Sequence, residues 1–370
     1  MKGFINVFKR EFNIIRHKPF ILFITLVYPL FFTLIIIWTF ISGTAINLPT
    51  AVLDENNSDV SRALIRTVNS TRTVNIKYKL SNIKEGYDLI RNGKIYALLV
   101  IPRDFKSDLN MSKQPKIVCY YNNQMILTGG LISKDIQAAI SGLAKSNINL
   151  ISIDERVKSN PYLNYSYFLT YAGIAHVFQV FAVLLSVWSI GIEFRQGSTK
   201  EWLHTADNSI VSAVFGKLSL YFLILTILIT CSYIFYVVFC TAPFEGSIFY
   251  TFIGACAFIF AYQMMGLLFI ALLANLRFAF SLGSVYVSLG FTFAGMTYPA
   301  FAMPLAARIY SFFLPVRPFV NLIVNQALRD IPVIYDIKYL VWILTISLLG
   351  VSSLPLLKKK VLNEELWYQI

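Results

Sequence analysis

Charged residues are scarce in this chain of 370 residues, where Asp, Glu, Lys and Arg together make up 14% of the sequence. Soluble proteins contain about 25%. Six long runs contain no charged residue, and at about 1.5 Å per residue each can cross a hydrocarbon core of about 30 Å as a helix. The sequence therefore predicts six spanning helices, within residues 20–41, 168–192, 218–239, 249–274, 279–297 and 339–357.

Cysteine is also rare. Cys231, Cys240 and Cys256 lie in or next to predicted spans, and only Cys119 lies between the first and second spans. No disulfide can form within that intervening segment, so its own hydrophobic core must stabilise it. The first span is expected to remain as an anchor, because its apolar run exceeds the usual length of about 7 to 15 residues in a signal peptide.

Enzyme motifs are missing. No G-x-x-x-x-G-K-[ST] loop is present, so we expect no cofactor on this chain and any ATP on a partner. The three histidines, His17, His176 and His204, are too far apart for a zinc site. No Asp or Glu lies well inside a predicted span, which disfavours an ion-coupled carrier. His176 and Gln179 form the one polar pair at helical spacing, where interhelical hydrogen bonding is favoured over contact with a substrate.

Positive charge exceeds negative charge by 13, and its placement indicates membrane topology rather than nucleic-acid binding. Basic residues precede the first span and follow the second, fourth and last, whereas the loop 241–247 contains none. Because Lys and Arg are enriched in short cytoplasmic loops, we expect both termini in the cytoplasm and a multi-pass chain in a bacterial inner membrane. The residues concerned are Lys2, Lys9, Arg10, Arg16, Lys18, Arg195, Lys200, Lys217, Arg277, Lys358, Lys359 and Lys360.

The insert between the first two spans alternates strand-like and helix-like patterns. Strands are predicted at 51–54, 74–80, 96–102 and 116–121, and helices at 58–68, 82–91 and 131–150. Such alternation within about 100 residues is typical of a small α/β domain. Its excess of basic over acidic residues is explained most simply by scattered surface charge.

The segment 191–206, GIEFRQGSTKEWLHTA, contains the most specific local pattern of the chain. Ser198 and Glu201 are spaced as a capping box, so a short helix should begin near Thr199, and Gly197 lets the chain turn before it. That helix would display Glu201, Trp202, Leu203 and His204. Docking into a groove of another protein and resting on lipid headgroups are both consistent with this pattern.

This segment resembles the E-R-E-x-G-T-x-E-x-L-x-x-T-P pattern in permease subunits of type-2 ATP-binding-cassette (ABC) exporters. The matching residues are Glu193, Arg195, Gly197, Glu201, Leu203 and Thr205. Ser198 and Thr199 stand where Gly-Thr is usual, and Ala206 replaces the expected Pro. The resemblance implies a coupling helix near 199–206 that contacts an ATPase, through Glu193, Arg195, Gly197, Ser198, Glu201, Trp202, Leu203 and His204.

A second block, 294–319, resembles the family's segment before the last span. Its matching residues are Gly295, Tyr298, Pro299, Met303, Pro304 and Pro315. Four prolines between 299 and 318 prevent one continuous helix, and broken backbone at membrane depth must be covered by protein or line a cavity. The resemblance implies a re-entrant exit region on the outer side, near 299–318. The insert resembles the family too, through AVLD at 51–54, the turn at Gly93 and VIPRDF at 100–105.

Together these features resemble the drug-export-like branch of the family and predict an α-helical polytopic membrane protein with six transmembrane helices and a small extracytoplasmic α/β domain. The predicted parts are an amphipathic cytoplasmic helix at 1–19, the first span at 20–42, the outer domain at 43–165, five further spans within 166–357 and a cytoplasmic tail at 358–370. In the first part, Phe4, Phe8, Phe12 and Ile15 lie along one face. In the family this helix touches the ATPase.

The resemblance also implies partners and a function. Two permease chains, identical or closely related, would bind two cytoplasmic ATPase subunits that hold ATP and Mg, and membrane lipid would surround the spans. Export of an amphipathic, drug-like or lipid-like substrate is expected, and a periplasmic adaptor is left open. The alternative is a non-transporting subunit that passes ATPase cycling to an envelope partner as a signal.

Overall fold

The structure is a computed structural model that describes residues 2–41, 46–111, 116–121, 131–139, 165–296, 298 and 300–367. Contacts divide the chain into two units, Ser42–Val157 and the combination of Met1–Ile41 with Lys158–Ile370. We call the first the inserted domain and the second the membrane unit. The first spanning helix and the later ones therefore pack together, although the inserted domain separates them in sequence.

Helices and strands follow one another through both units. In chain order they are α1 (Lys2–His17), α2 (Pro19–Phe40), β1 (Leu48–Asp54), α3 (Asp59–Asn69), β2 (Val74–Leu80), α4 (Ile83–Arg91), β3 (Ala97–Ile101), α5 (Phe105–Asn110), β4 (Val118–Tyr121), α6 (131–139), α7 (Tyr165–Gln196), α8 (Thr199–Thr205), α9 (Ile210–Phe239), α10 (Ile248–Leu273), α11 (Leu276–Phe293), α12 (Leu305–Phe312), α13 (Val316–Leu328), α14 (Val333–Val351) and α15 (Leu354–Val361).

Six helices among the described residues are long and apolar enough to cross a membrane: α2, α7, α9, α10, α11, and α14 together with α15. The prediction of an α-helical polytopic membrane protein with a small α/β domain is confirmed. Several ends differ from the charge-free runs. The helix α9 begins at Ile210, so the assignment of Lys217 to a loop was wrong. The helix α15 continues to Val361, past the predicted end of the last span, because basic residues in a last turn interact favourably with the helix dipole.

The helix α7 lies at the centre of the membrane unit. It contacts α2, α9, α10, α11 and α13, and most of its length is buried. Small residues permit these close contacts. A Cβ atom on Gly266 of α10 would lie 2.8 Å from the carbonyl oxygen of Val183 on α7. By contrast, α2 buries only every fourth residue, from Ile21 to Ile37, and leaves its other faces for lipid.

The proline-rich block forms two short helices. The helices α12 and α13 are bent by 75° at the break between them, as a broken span or a re-entrant loop. Pro304 is the N-cap of α12 and Pro315 is the N-cap of α13, so the predicted interruption of the helix by proline is confirmed. Gly295 adopts φ +87° just after α11, a conformation that favours glycine. Pro299 lies outside the described residues.

The inserted domain contains a four-stranded sheet in the order β2-β1-β3-β4. The strand β1 pairs in parallel with β2 and β3, and β4 is antiparallel to β3. The side chains of α3 pack on one face of this sheet and those of α4 on the other. The strand and helix pattern predicted from alternation is confirmed where it is described, with α5 as an unpredicted helix. The predicted helix 131–150 is described only at 131–139.

Candidate functional site

The turn between α7 and α8 lies in the segment that resembles the ABC exporter pattern. Gly197 has φ +66°, and the backbone N–H of Ser198 donates to the carbonyl of Glu193 at 3.0 Å. The helix α8 begins at Thr199, as predicted. The predicted capping box is wrong, because Ser198 has φ −91° and ψ 10° instead of the extended geometry of a capping residue. Its hydroxyl donates to the carboxylate of Glu193.

Glu193 lies at the centre of a buried set of charges. The guanidinium of Arg10, on α1, donates through Nη1 at 2.8 Å and Nη2 at 3.0 Å to its two carboxylate oxygens. Lys217, on α9, donates to Oε1 of the same carboxylate. Only 2% of the Glu193 side chain is exposed. It therefore joins three helices and is not displayed to a partner.

A second carboxylate balances the charge. Glu11, on α1, lies with Oε2 3.3 Å from Lys217 Nζ, and its Oε1 accepts a hydrogen bond from the hydroxyl of Tyr221 at 2.7 Å. We call Arg10, Glu11, Glu193 and Lys217 the ion cluster. Its two cations and two anions sum to zero, and each buried charge has an opposite partner, which is the condition for burying charges without a large loss of stability.

The helix α1 is part of this site. It buries Gly3, Val7, Glu11 and Ile15 at four-residue spacing. A Cβ atom on Gly3 would lie 2.6 Å from the carbonyl oxygen of Ala206 at the end of α8, so the two helices touch. Of the predicted face of Phe4, Phe8, Phe12 and Ile15, only Ile15 belongs to this buried stripe, whereas Phe4 and Phe12 are exposed.

Glu11 and Lys217 were not among the site residues predicted from the sequence. A signal for the first was available, because Glu11 is the only acidic residue between positions 2 and 40 and continues the four-residue series 3, 7, 11 and 15. An isolated carboxylate among many basic residues is a candidate for a buried pair. Lys217 gave no comparable signal, since a lysine just before an apolar run is also expected at a membrane boundary.

The helix α8 turns its aromatic side chain inward. Trp202 is fully buried, donates from Nε1 to the carbonyl of Ala213 at 3.3 Å, and has Lys217 Nζ 5.5 Å from its ring centroid. Leu203 is buried as well. The expectation that Trp202 and Leu203 are displayed for docking is therefore wrong. They attach α8 to the membrane unit. The exposed predicted coupling residues are Arg195, Glu201 and His204.

The polar pair inside the second span belongs to a buried network. Gln179 lies 2.8 Å from His176 Nδ1, and its Oε1 accepts from the hydroxyl of Tyr262 at 2.6 Å. That hydroxyl in turn accepts the backbone N–H of Val316 at 3.2 Å. His176 also stacks on Phe291, with ring centroids 4.2 Å apart. These contacts link α7, α10, α11 and α13, which agrees with the interhelical interpretation.

The residues predicted for the exit region lie at the other end of α11. A Cβ atom on Gly191 would touch Leu276, so α11 begins near the last turns of α7, which precede α8. Its 18 residues extend for about 27 Å. Beyond its far end follow Gly295, the exposed Tyr298, the buried Met303, Pro304 and Pro315. The structure thus separates the two predicted groups of residues.

Asp336, at the start of α14, is a buried carboxylate that sequence analysis placed outside the spans. It accepts from Asn325 Nδ2 and Gln326 Nε2, both at 2.7 Å. Arg329 Nη1 donates to Asn325 Oδ1 at 2.9 Å, so the side-chain amide of Asn325 lies between the charges of Arg329 and Asp336. This network joins α13 to α14 and connects through Gln326 to the backbone N–H of Ser247.

Comparison with protein families identifies the chain. The model of the ABC-2 family transporter protein matches residues 19–352, from the start of α2 to the end of α14. The matched range includes the inserted domain, the α7–α8 turn and the bent pair α12–α13. A comparison with curated proteins gave no match. The chain therefore belongs to the ABC-2 transporter family, as the membrane permease that works with an ABC ATPase subunit.

Proposed function

We propose that this permease is the membrane subunit of an exporter that moves an amphipathic, drug-like or lipid-like substrate out of the cytoplasm or the inner leaflet. ATP and Mg²⁺ would be bound by a separate cytoplasmic ATPase. The observation that carries the proposal is the ion cluster, in which one carboxylate, Glu193, connects α1, α7 and α9 and accepts a hydrogen bond at the start of α8.

In this proposal, contacts of α8 transmit a movement of the ATPase to the membrane helices. The ATPase would contact the exposed side chains of Glu201 and His204 on α8. Since Trp202 is packed against α9 and Ser198 is bonded to Glu193, a displacement of α8 would move α7 and α9 with it. The buried charges resist separation, because each would be left without its partner in a region of low dielectric constant. Motion would then reach the centre of the membrane unit, where α7 lies.

An apolar cavity supports the substrate class. It has a volume of 460 Å³ between α2 and α9, and its lining includes Leu30, Leu34, Ile234 and Phe235. An acyl chain or a similar apolar group fits such a lining because it loses contact with water there. A second permease copy, identical or closely related, would complete the substrate path between two membrane units.

The proposed orientation puts both termini in the cytoplasm and the inserted domain outside the inner membrane. It is supported by the basic residues of α1 and by the three lysines in the last turn of α15. The bent pair α12–α13 would then be a re-entrant exit region on the outer side. A periplasmic adaptor would act on the same side.

Reconstitution tests this function. The permease and the ABC ATPase that co-purifies with it would be placed in proteoliposomes with ATP outside, and accumulation of fluorescent amphipathic dyes and lipids inside the vesicles would be followed. We expect ATP-dependent accumulation that disappears when the P-loop lysine of the ATPase is replaced. ATP hydrolysis without movement of any probe would contradict export.

A signalling role is the second candidate, and the separate core of the inserted domain favours it. That domain packs its own side chains around the sheet. If it transmits ATPase cycling to an envelope partner, protease cleavage within 43–165 should change between ATP-bound and nucleotide-free states while no probe moves. Transport with unchanged cleavage would exclude this role.

A further inference from the structure

A cavity of 680 Å³ lies in the inserted domain at the carboxyl ends of its parallel strands. Its lining includes Asp54 and Glu55 at the end of β1, Lys79 and Ser81 at the end of β2, and Arg103 after β3, where Asp54 and Lys79 belong to the strands and the others follow them. We call it the strand-end cavity. Neither the proposed substrate path nor the coupling segment includes it.

Sheet topology makes this position significant. The chain passes from β1 through α3 to β2, and then through α4 to β3 on the opposite side of β1. The two helices cover opposite faces of the sheet. Open α/β sheets bind ligands outside the carboxyl ends of their strands, where the strand order reverses in this way. The strand-end cavity occupies that location.

A bulge in β2 determines which side chain faces the cavity. Thr50 pairs with Ile76 but the next residue, Ala51, pairs with Tyr78, so β2 contains one extra residue. Beyond the bulge, Lys79 lies beside Val52, and paired residues of neighbouring strands point to the same face. Val52 packs in the core beneath α3. The bulge thus places the ammonium group of Lys79 on the face of the sheet that α3 covers. Arg62 of α3 lines the cavity from the same face.

The carboxylate of Asp54 is engaged by its own turn. Its Oδ1 accepts the backbone N–H groups of Asn56 at 3.1 Å and Asn57 at 3.0 Å, and its Oδ2 accepts from Ser61 Oγ at 2.7 Å. It therefore holds the loop after β1. Glu55 lies 3.8 Å from Arg103 at the exposed rim.

Two cations remain available. Arg62 donates from Nη1 to the carbonyl of Asn57 at 2.8 Å, which leaves its other N–H groups for a ligand. Within the described ranges, neither Arg62 nor Lys79 forms an ion pair with a carboxylate. A guanidinium and an ammonium without acidic partners suit an anion that accepts several hydrogen bonds.

We propose that the strand-end cavity binds a small solute carrying a phosphate group, with Arg62 and Lys79 on the phosphate oxygens. Its volume lies within the range of about 300 to 1,000 Å³ of small-molecule sites. A phosphate dianion matches the two available cations, whereas one carboxylate would neutralise only one of them. The inserted domain would then act as a receptor for a phosphate ester, with the ester coming from solution or from a lipid headgroup.

Calorimetry on the full-length permease in phosphatidylcholine nanodiscs tests the site, using glycerol 3-phosphate as the probe. We expect binding, and we expect Lys79→Ala and Arg62→Ala each to weaken it about tenfold or more, because each removes a charge-assisted hydrogen bond. Lys84→Ala is the matched control, since Lys84 is exposed on α4 and does not line the cavity. Lys79→Arg should restore most of the affinity.

Three further probes define the ligand. Glycerol should not bind, and glycerate should bind about tenfold or more weakly than the phosphate ester. Equal affinity for glycerate would overturn the phosphate assignment. Dihexanoyl phosphatidic acid carries the same phosphate on a lipid, so tighter binding than glycerol 3-phosphate identifies a headgroup as the source. Absence of binding by both phosphates, or equal binding by Lys79→Ala and Lys84→Ala, would overturn the site. The result is independent of transport, because no ATPase is present.

Discussion

The ammonium group of Lys217 on α9 contacts the carboxylate of Glu193 on α7, and both side chains are almost completely buried, at 1% and 2% exposure. The pair lies where α8 meets the other helices of the membrane unit. Arg10 and Glu11 complete the arrangement from α1. Segments far apart in sequence are thus held together by charges, and those of Glu11, Glu193 and Lys217 are almost completely excluded from water.

Removing the lysine tests this arrangement. Lys217→Met should lower the free energy of unfolding by about 3 to 5 kcal/mol, because it leaves a buried carboxylate without a cation. The apparent unfolding temperature of the purified permease in detergent measures the effect. Lys217→Met combined with Glu11→Gln should recover part of the loss, since it restores a neutral cluster.

A surface pair supplies the control for this change. Lys200 contacts Glu364, and more than half of each side chain is exposed, at 59% and 63%. Lys200→Met should change the free energy of unfolding by no more than about 1 kcal/mol. If Lys217→Met and Lys200→Met proved equally stable, the ion cluster would have no structural role.

The second prediction concerns the two faces of α8. Trp202→Ala should lower the free energy of unfolding by about 3 to 5 kcal/mol, because it leaves a cavity between α8 and α9. Glu201→Ala and His204→Ala should leave stability unchanged and weaken co-purification with the ATPase by up to about fivefold, as expected for exposed polar contacts. Unchanged ATPase binding by both exposed variants would show that the partner contacts another surface.

Close packing between α10 and α14 gives the third prediction. A Cβ atom on Gly350 would lie 2.1 Å from the carbonyl oxygen of Met264, too close for any side chain. Gly350→Ala should force the helices apart and lower the free energy of unfolding by about 1 to 3 kcal/mol or more. Thr345→Ala, at an exposed position of α14, is the control in the same thermal assay. Equal stability of the two variants would contradict this packing.

The fourth prediction concerns pH. Burial raises the pKa of the Cys119 thiol to about 11, because it disfavours the thiolate. At pH 8 the thiol should react with a maleimide roughly a hundredfold more slowly than an exposed thiol of ordinary pKa. The folded state keeps this proton between about pH 9 and pH 11 and the unfolded state loses it, so the stability contributed by Cys119 falls as pH rises through that window.

Labelling requires a chain in which Cys119 is the only cysteine, with Cys231, Cys240 and Cys256 replaced by alanine. Lys84→Cys in a chain without the native cysteines provides the exposed reference. Similar rates for the two thiols at pH 8 would show that Cys119 is accessible and does not pack against the core of the inserted domain.

The fifth prediction concerns topology. A reporter that is active only outside the cytoplasm should be active when fused after Pro115 and silent after Gly197 or Lys360. These results follow from six spans with both termini inside. Activity after Gly197 would contradict the proposed orientation of α8. Activity after Lys360, with silence after Gly197, would mean that the bent pair α12–α13 crosses the membrane as a seventh span.

Much of the fold follows from local patterns of residues. The length of a charge-free run decides whether a helix can cross the bilayer, so the six spans were predictable without any contact between them. Proline removes a backbone donor and clashes with the preceding turn, which predicted the interruption near Pro304 and Pro315. The start of α8 at Thr199 also followed from local residue types, although its capping interaction did not.

The candidate site depended on contacts that no local pattern contains. The sequence by itself determined that Glu193 follows one charge-free run, that Lys217 precedes another and that Trp202 lies on a short helix. Only the tertiary structure decided that these side chains meet, and that the tryptophan faces inward. The physical reason is that a charge or a large aromatic ring is stable in the interior only when a partner from a distant segment is in place, and the identity of that partner is set by how the helices pack.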